Sequence, residues 1–347
     1  MTVETTRKRV MIVEDSTVVR TLLMHIVSAD PRLSVVAAVA TAEEAIAALS
    51  TVRPDVISMD IRLPGMDGLE ATRRIMADRP TPIVVISASI ERDSLASSMD
   101  ALRAGALSVV EKPVGFGDRD YAAVAREICT QLAIMSDVAV VRRRIQPRAP
   151  NAAGLRTPVP PRMLVCAAST GGPQAVARLF GALPADFALP VLLVQHMGAA
   201  FMDGYATWLQ SVVPQRVTIA QDGMAPAAGT IHVAPGDRHL RIAADGRLRI
   251  GADPAIGGQR PAATALFQSA AAALSGAAVG VMLTGMGEDG APGVQAMIAA
   301  GGAVIAEHES SAVVYGMPAA AVRMGALALP IDMIAPHLER IVARGAA

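Results

Sequence analysis

The sequence predicts an α/β protein built from two doubly wound, mostly parallel sheets in tandem. Three observations carry this: apolar runs of strand length alternate with helical patterns in two separate stretches, a proline-rich polar segment divides them, and 347 residues exceed one ordinary core. In the first stretch Val10–Val13, Ser34–Ala40, Val56–Met59, Ile83–Ile86 and Ser108–Val110 read as strands, with helical spacing between them at Ala42–Leu49 and Gly68–Ala77. From Asp137 to Arg162 the alternation fails, and Pro147, Pro150, Pro158, Pro160 and Pro161 lie among polar residues and the run Arg142–Arg144. Alternation resumes with Met163–Cys166, Val191–Gln195, Val217–Ala220, Thr230–Val233, Ala278–Leu283 and Ala303–Ala306. The low-polarity stretch from Ser269 to Gly285 is interrupted at Ser275–Gly276, so it reads as helix, turn and buried strand rather than a membrane span. The expected boundaries are 7–126 for the first domain, 127–161 for a helix end and linker, and 162–345 for the second domain.

The bulk numbers exclude several classes. Lys plus Arg and Asp plus Glu are 31 each, so no net field draws the chain to nucleic acid or an anionic membrane surface. Aromatics are scarce at 3%, and small apolar residues suit helices packed closely on parallel sheets. Cys129 and Cys166 fall in different domains without metal-ligand spacing, which fits a reducing compartment. The opening MTVETTRKRVMIVEDS lacks the apolar stretch of a signal peptide, so the expectation is a cytoplasmic protein without membrane insertion. Nothing in the sequence requires more than a monomer.

In the first domain, Glu14 and Asp15 follow the first strand and Asp60 follows the third. A parallel sheet gathers them at its carboxyl edge, where open α/β sheets bind ligands. Three carboxylates there repel one another, and a hard dication such as Mg²⁺ relieves this. Ser87 and Lys112, after the fourth and fifth strands, add a hydroxyl and an ammonium, a set suited to phosphoryl transfer with Asp60 as nucleophile. Taken singly, Asp15 and Ser16 read as helix caps, Asp60 as a turn residue and Lys112 as a surface charge. Together, the segments MIVEDS, MDIRLPGMDG and EKP resemble the response-regulator receiver family, whose fold is flavodoxin-like. That resemblance implies phosphorylation of Asp60 by a histidine kinase, and Mg²⁺ among Glu14, Asp15, Asp60 and the Arg62 carbonyl. It also implies phosphoryl contacts from Lys112 and Ser87, and a Lys112–Pro113 bond that is often cis. Val109 stands where the family often carries an aromatic switch residue.

In the second domain, RMLVCAASTGGP sets Ser169 between a strand and a helix, the position of a nucleophile elbow, although Ser169 and Thr170 also suit helix caps and the turn also suits a phosphate cradle. His196 ends VLLVQH, and Asp289 lies in LTGMGEDG beyond another strand. A parallel sheet can bring Ser169, His196 and Asp289 to one edge, where a histidine held by a carboxylate activates a serine. His25, His232, His239, His308 and His337 show no comparable pairing and read as surface or packing residues.

The motifs AASTGGP, QHM, VAPGDRH, LTGMGEDG and YGMP, in this order, resemble the catalytic domain of CheB-type protein-glutamate methylesterases. The resemblance implies Ser169 as nucleophile, His196 as base and acid, and Asp289 as orienting carboxylate. Thr170 would lie beside the serine, and the Met286 N–H would be an oxyanion donor aided by the Gly171–Gly172 turn. It further implies a phosphorylation-regulated esterase and glutamine deamidase, acting without a cofactor on methyl-accepting chemoreceptors, with a chemotaxis histidine kinase as phosphodonor. In RPAATALF, Ala262 and Thr264 replace the family's usual Ser and Asp, a change expected to alter the rim of the site and leave the triad untouched. The competing reading is a receiver-controlled adaptor without catalytic activity.

Overall fold

The computed structural model describes residues 7–87, 100–101, 104–113, 121–138 and 159–345. The expected linker lies mostly outside these residues. The chain divides into two compact units, residues 1–144 and 145–347.

The first unit runs β1 (Lys8–Val13), α1 (Thr17–Ala29), β2 (Leu33–Val39), α2 (Ala42–Val52), β3 (Val56–Met59), α3 (Gly68–Asp78), β4 (Ile83–Ser87), β5 (Ser108–Glu111) and α4 (Tyr121–Met135). Its strands lie in the order β2-β1-β3-β4-β5, all parallel. The order reverses at β1, so the crevice between the ends of β1 and β3 is the expected ligand position. Burial follows the period of two. Met11 and Val13 join Ile57, Met59, Ala71 and Ile75 in one core layer, while Val10 and Ile12 turn to the opposite face. Side-chain oxygens start the helices: Ser16 caps α1, Thr41 caps α2 and Asp67 caps α3. α4 buries Ile128, Cys129, Leu132 and Met135 within this unit. Lys112–Pro113 is not cis, contrary to the expectation carried by the resemblance; among the described residues the cis bond is Arg260–Pro261.

The second unit continues with β6 (Met163–Ala168), α5 (Gly172–Gly181), β7 (Val191–Gln195), a 3-10 turn (Ala199–Phe201), α6 (Met202–Val212), β8 (Arg216–Ile219) and β9 (Thr230–Val233). It goes on through β10 (His239–Ile242), β11 (Leu248–Gly251), α7 (Ala263–Leu274), β12 (Ala278–Met282) and α8 (Ala291–Ala299). β13 (Ala303–Glu307), α9 (Met317–Arg323), β14 (Leu327–Leu329) and α10 (Ile331–Gly345) complete it. Seven parallel strands form one sheet in the order β14-β13-β12-β6-β7-β9-β8, and β10-β11 is a separate antiparallel hairpin. Every residue of β6, β7 and β12 is buried, as expected of central parallel strands covered on both faces. α7 packs on β6, β12, α8 and the hairpin, and α5 packs against α6 and α10. Ser275, at φ 42°, ends α7 where the sequence breaks at Ser275–Gly276. Among the described residues, no helix is long and apolar enough to cross a membrane.

The α7–α8 contact depends on Gly293. A Cβ there would stand 2.5 Å from the Phe267 Cβ and 3.2 Å from the Thr264 carbonyl oxygen. Alanine gains about 1 kcal/mol of helix propensity over glycine, whereas overpacking a closed contact costs about 1–3 kcal/mol. Gly293→Ala is therefore expected to lower the unfolding free energy measured in urea. A variant as stable as wild type would mean that the two helices separate at no cost.

Candidate functional site

At the edge of the first sheet, ligand oxygens of Glu14, Asp15 and Asp60 lie within 4.8 Å of one another. Glu14 and Asp60 are 1% and 5% exposed. Lys112 Nζ meets Glu14 Oε2 and Asp60 Oδ2, each at 2.8 Å. One ammonium does not balance three carboxylates. Burial, followed by the charge of Asp60, pushes the Glu14 carboxyl above its ordinary range, and burial raises that of Asp60. This oxygen-only, electron-rich set fits a hard dication. Ser87 is buried at the end of β4, and the amide of Lys112 donates to its carbonyl. Of the simple alternatives, Ser16 does cap a helix, whereas Asp15 belongs to the acidic group.

In the second unit, β6 lies between β7 and β12, so loops following three adjacent strands converge. The ladder pairs Ala168 with Gln195 and Ala167 with Met282. Backbone bonds extend it past the strand ends: His196 N–H donates to Ala168 O at 2.9 Å, and Ser169 N–H donates to Thr284 O at 3.0 Å. The buried side chain of Gln195 donates to both Ser169 O and His196 O, tying the two loops together. The capping alternative for Ser169 and Thr170 does not hold, because Gly171, at φ 75°, is the N-cap of α5 and no side chain caps that helix. Gly285 allows a close approach: a Cβ there would stand 2.8 Å from Ser169 Cβ and 2.5 Å from Met317 Sδ.

His196 Nε2 lies 2.9 Å from Asp289 Oδ2, with the two side chains 7% and 8% exposed. Asp289 also accepts from Ala263 N–H at 2.6 Å, Thr264 N–H at 3.0 Å and the Thr264 hydroxyl at 2.7 Å. With three donors already on the carboxylate, the imidazole completes the set by donating Nε2–H. That leaves Nδ1 as the basic nitrogen, and it is buried without a hydrogen-bond partner. Burial pushes the Asp289 carboxyl up, but hydrogen bonds from His196 and Thr264 outweigh it and hold the group below its ordinary range. Ala262, the N-cap of α7, offers no side-chain bond, so Asp289 satisfies the first amides of that helix instead. Thr264 thus contacts the candidate triad directly, which corrects the expectation that its replacement leaves the triad untouched. The sequence marked the position as unusual, but nothing local in it indicated the contact.

Among the described residues, the amides of Gly171 and Met286 donate to no backbone or side-chain acceptor, and the Met286 side chain is 47% exposed. Thr170 is buried, and its carbonyl accepts from the Thr284 hydroxyl at 2.9 Å. Of the remaining histidines, His239 is packed between Ala262 N–H and Pro254 O, and His232 accepts from Ala227 N–H.

Sequence reasoning missed Thr284 and Glu307. Thr284 O accepts from Ser169 N–H, while its own amide donates to Glu307 Oε2 at 2.9 Å. Glu307, 1% exposed, also accepts from the Ser311 hydroxyl. Burial raises the Glu307 carboxyl above its ordinary value of 4.5. Between the unfolded and folded pKa values the native state holds the extra proton, so wild-type stability falls as pH rises through that window. Glu307→Gln keeps an acceptor for Thr284 and does not titrate. Its unfolding free energy relative to wild type, measured in urea, is expected to grow from about pH 4.5 upward and then level off. A pH-independent difference would remove this linkage.

Comparison with known proteins matches both units of the chain. The CheB methylesterase family matches residues 164–338, and the response regulator receiver domain family matches residues 10–120. The protein-glutamate methylesterase/protein-glutamine glutaminase 2 of Paramagnetospirillum magneticum is 49% identical, over 97% of this chain and 98% of its own. The protein-glutamate methylesterase/protein-glutamine glutaminase 4 of Myxococcus xanthus is 45% identical over 89% of both. The crystal structure of the Thermotoga maritima CheB methylesterase catalytic domain is 34% identical with a TM-score of 0.50, and the match covers 54% of this chain and 100% of that domain. With nearly its whole length shared with such relatives and both family matches in the same order, this chain belongs to the CheB methylesterase family that carries an N-terminal response regulator receiver domain.

Proposed function

We propose that this chain is a phosphorylation-regulated protein-glutamate methylesterase and protein-glutamine glutaminase that acts on methyl-accepting chemoreceptors. The observation that supports it most directly is the His196–Asp289 pair, whose buried Nδ1 has no partner and whose loop Gln195 ties to that of Ser169. In this reading Ser169 Oγ attacks the ester carbonyl while His196 Nδ1 takes its proton, and Asp289 steadies the imidazolium. The amides of Met286 and Gly171, near Thr170 and Gly172, receive the oxyanion; such donors are worth about 2.7–4 kcal/mol each. Methanol leaves with the proton returned by His196, and water then releases the glutamate from the acyl-serine. A side-chain amide follows the same path with ammonia as leaving group.

In the receiver unit, Asp60 takes the phosphoryl group from a phosphohistidine of a chemotaxis kinase: an O–P bond forms at its carboxylate as the P–N bond breaks. Glu14, Asp15 and Asp60 would hold Mg²⁺, which neutralises charge on the transferring oxygens. Lys112 and Ser87 contact the phosphoryl group. Val109 stands where the family often carries an aromatic switch side chain, so an aromatic reorientation does not report phosphorylation here.

Methanol release from methyl-labelled receptor membranes tests this reading. Wild type is expected to release methanol, faster with a small-molecule phosphodonor and Mg²⁺. Asp60→Asn should keep the basal rate without the stimulation, and Ser169→Ala should fall by at least about 10³-fold. Folded wild type that releases no methanol from several receptors would leave the adaptor reading standing.

A further inference from the structure

We propose that Thr264 is a positioning residue of the esterase site, a hydroxyl that locks the Asp289 carboxylate in the orientation His196 requires. The inference rests on the esterase reading above and adds a residue to it. Gly290 N–H donates to Thr264 Oγ1 at 2.8 Å. An ionised carboxylate cannot donate, so the hydroxyl proton points at Asp289 Oδ1, 2.7 Å away. Both donors on Oδ1 come from Thr264, and both on Oδ2 come from Ala263 N–H and His196. About four lone-pair directions of a carboxylate are thereby used, and rotation about the side-chain torsion would break several bonds at once.

A threonine at the second position of a helix normally has little to hold. Here α7 has no capping side chain of its own, and Thr264, 5% exposed, turns its hydroxyl outward to the loop that follows β12. The hydroxyl joins Gly290 and Asp289, successive residues of that loop, to the helix. Removing it would leave Gly290 N–H buried without an acceptor and Oδ1 with a single donor. Asp289 would then hold His196 less firmly, and the loss would fall on the chemical step rather than on substrate binding.

The test compares full-length wild type with Thr264→Val, Thr264→Ala and Thr264→Ser. It measures methanol release, the rate at which a phosphonofluoridate labels the nucleophilic serine, and folding by circular dichroism. Val and Ala are expected to lower kcat about 10-fold to 100-fold, as loss of a hydrogen bond to a charged group implies, with KM changed less than about twofold. Labelling should slow in parallel, and Ser should restore both rates to within about threefold. Folded Val or Ala variants with wild-type kcat and labelling would overturn the proposal, as would a Ser variant as slow as Val. If wild type is labelled and slowed by loss of the hydroxyl yet releases no methanol, Thr264 keeps its role and the receptor substrate is wrong. If wild-type Ser169 is not labelled, both readings fall.

Discussion

Parallel pairing of β6 with β7 on one side and β12 on the other is the constraint on which the second unit depends. Parallel strands end at the same edge, so whatever follows Ala168, Gln195 and Met282 must meet there. The pairing is strongly specified because all three strands are buried on both faces, and a one-residue slip would exchange the two sets of side chains between unlike helix layers. Short backbone bonds then carry the ladder into the loops, from His196 to Ala168 and from Ser169 to Thr284. Gln195 and Thr284 act as braces between those loops, each bonding to backbone on a neighbouring segment.

The two sheet edges treat carboxylates in opposite ways. At the first, three carboxylates face one ammonium, and burial leaves Glu14 and Asp60 above their ordinary pKa range, a site short of positive charge. At the second, one carboxylate meets four donors and lies below its range despite burial. The first arrangement is relieved by a dication and suits a transferable phosphoryl group. The second holds Asp289 as a carboxylate, oriented by all four of its hydrogen-bond donors. Glu307 is a third case, an acid held by two neutral donors and left with a raised pKa, whose contribution is to the geometry of Thr284.

Much of the fold was legible in sequence. Val56–Met59, Val191–Gln195 and Thr230–Val233 are strands residue for residue as their apolar runs predict, and Ser275–Gly276 does end a helix. The strands that sequence reading missed are β10, β11 and β14, with sequences HLRI, LRIG and LAL. They are three or four residues long, too short or too mixed in polarity to establish a period, and exist because a partner strand lies beside them. Lys112–Pro113, which is not cis, illustrates a different limit: the residue pair by itself permits either isomer.

By itself, the sequence determined two parallel-sheet units, the strand ends at which Ser169, His196, Asp60 and Lys112 stand, and the absence of net charge. Those properties are local or additive, written in periodicity, turn residues and composition. Only the tertiary structure decided that Asp289 caps α7, that Thr264 holds its second oxygen, that Nδ1 is the free nitrogen of His196, and that Glu307 lies beneath Thr284. Each of those facts is a hydrogen bond between segments at least 23 residues apart, or follows from one. Such partners are chosen by strand register and helix packing, which no local pattern of residues encodes.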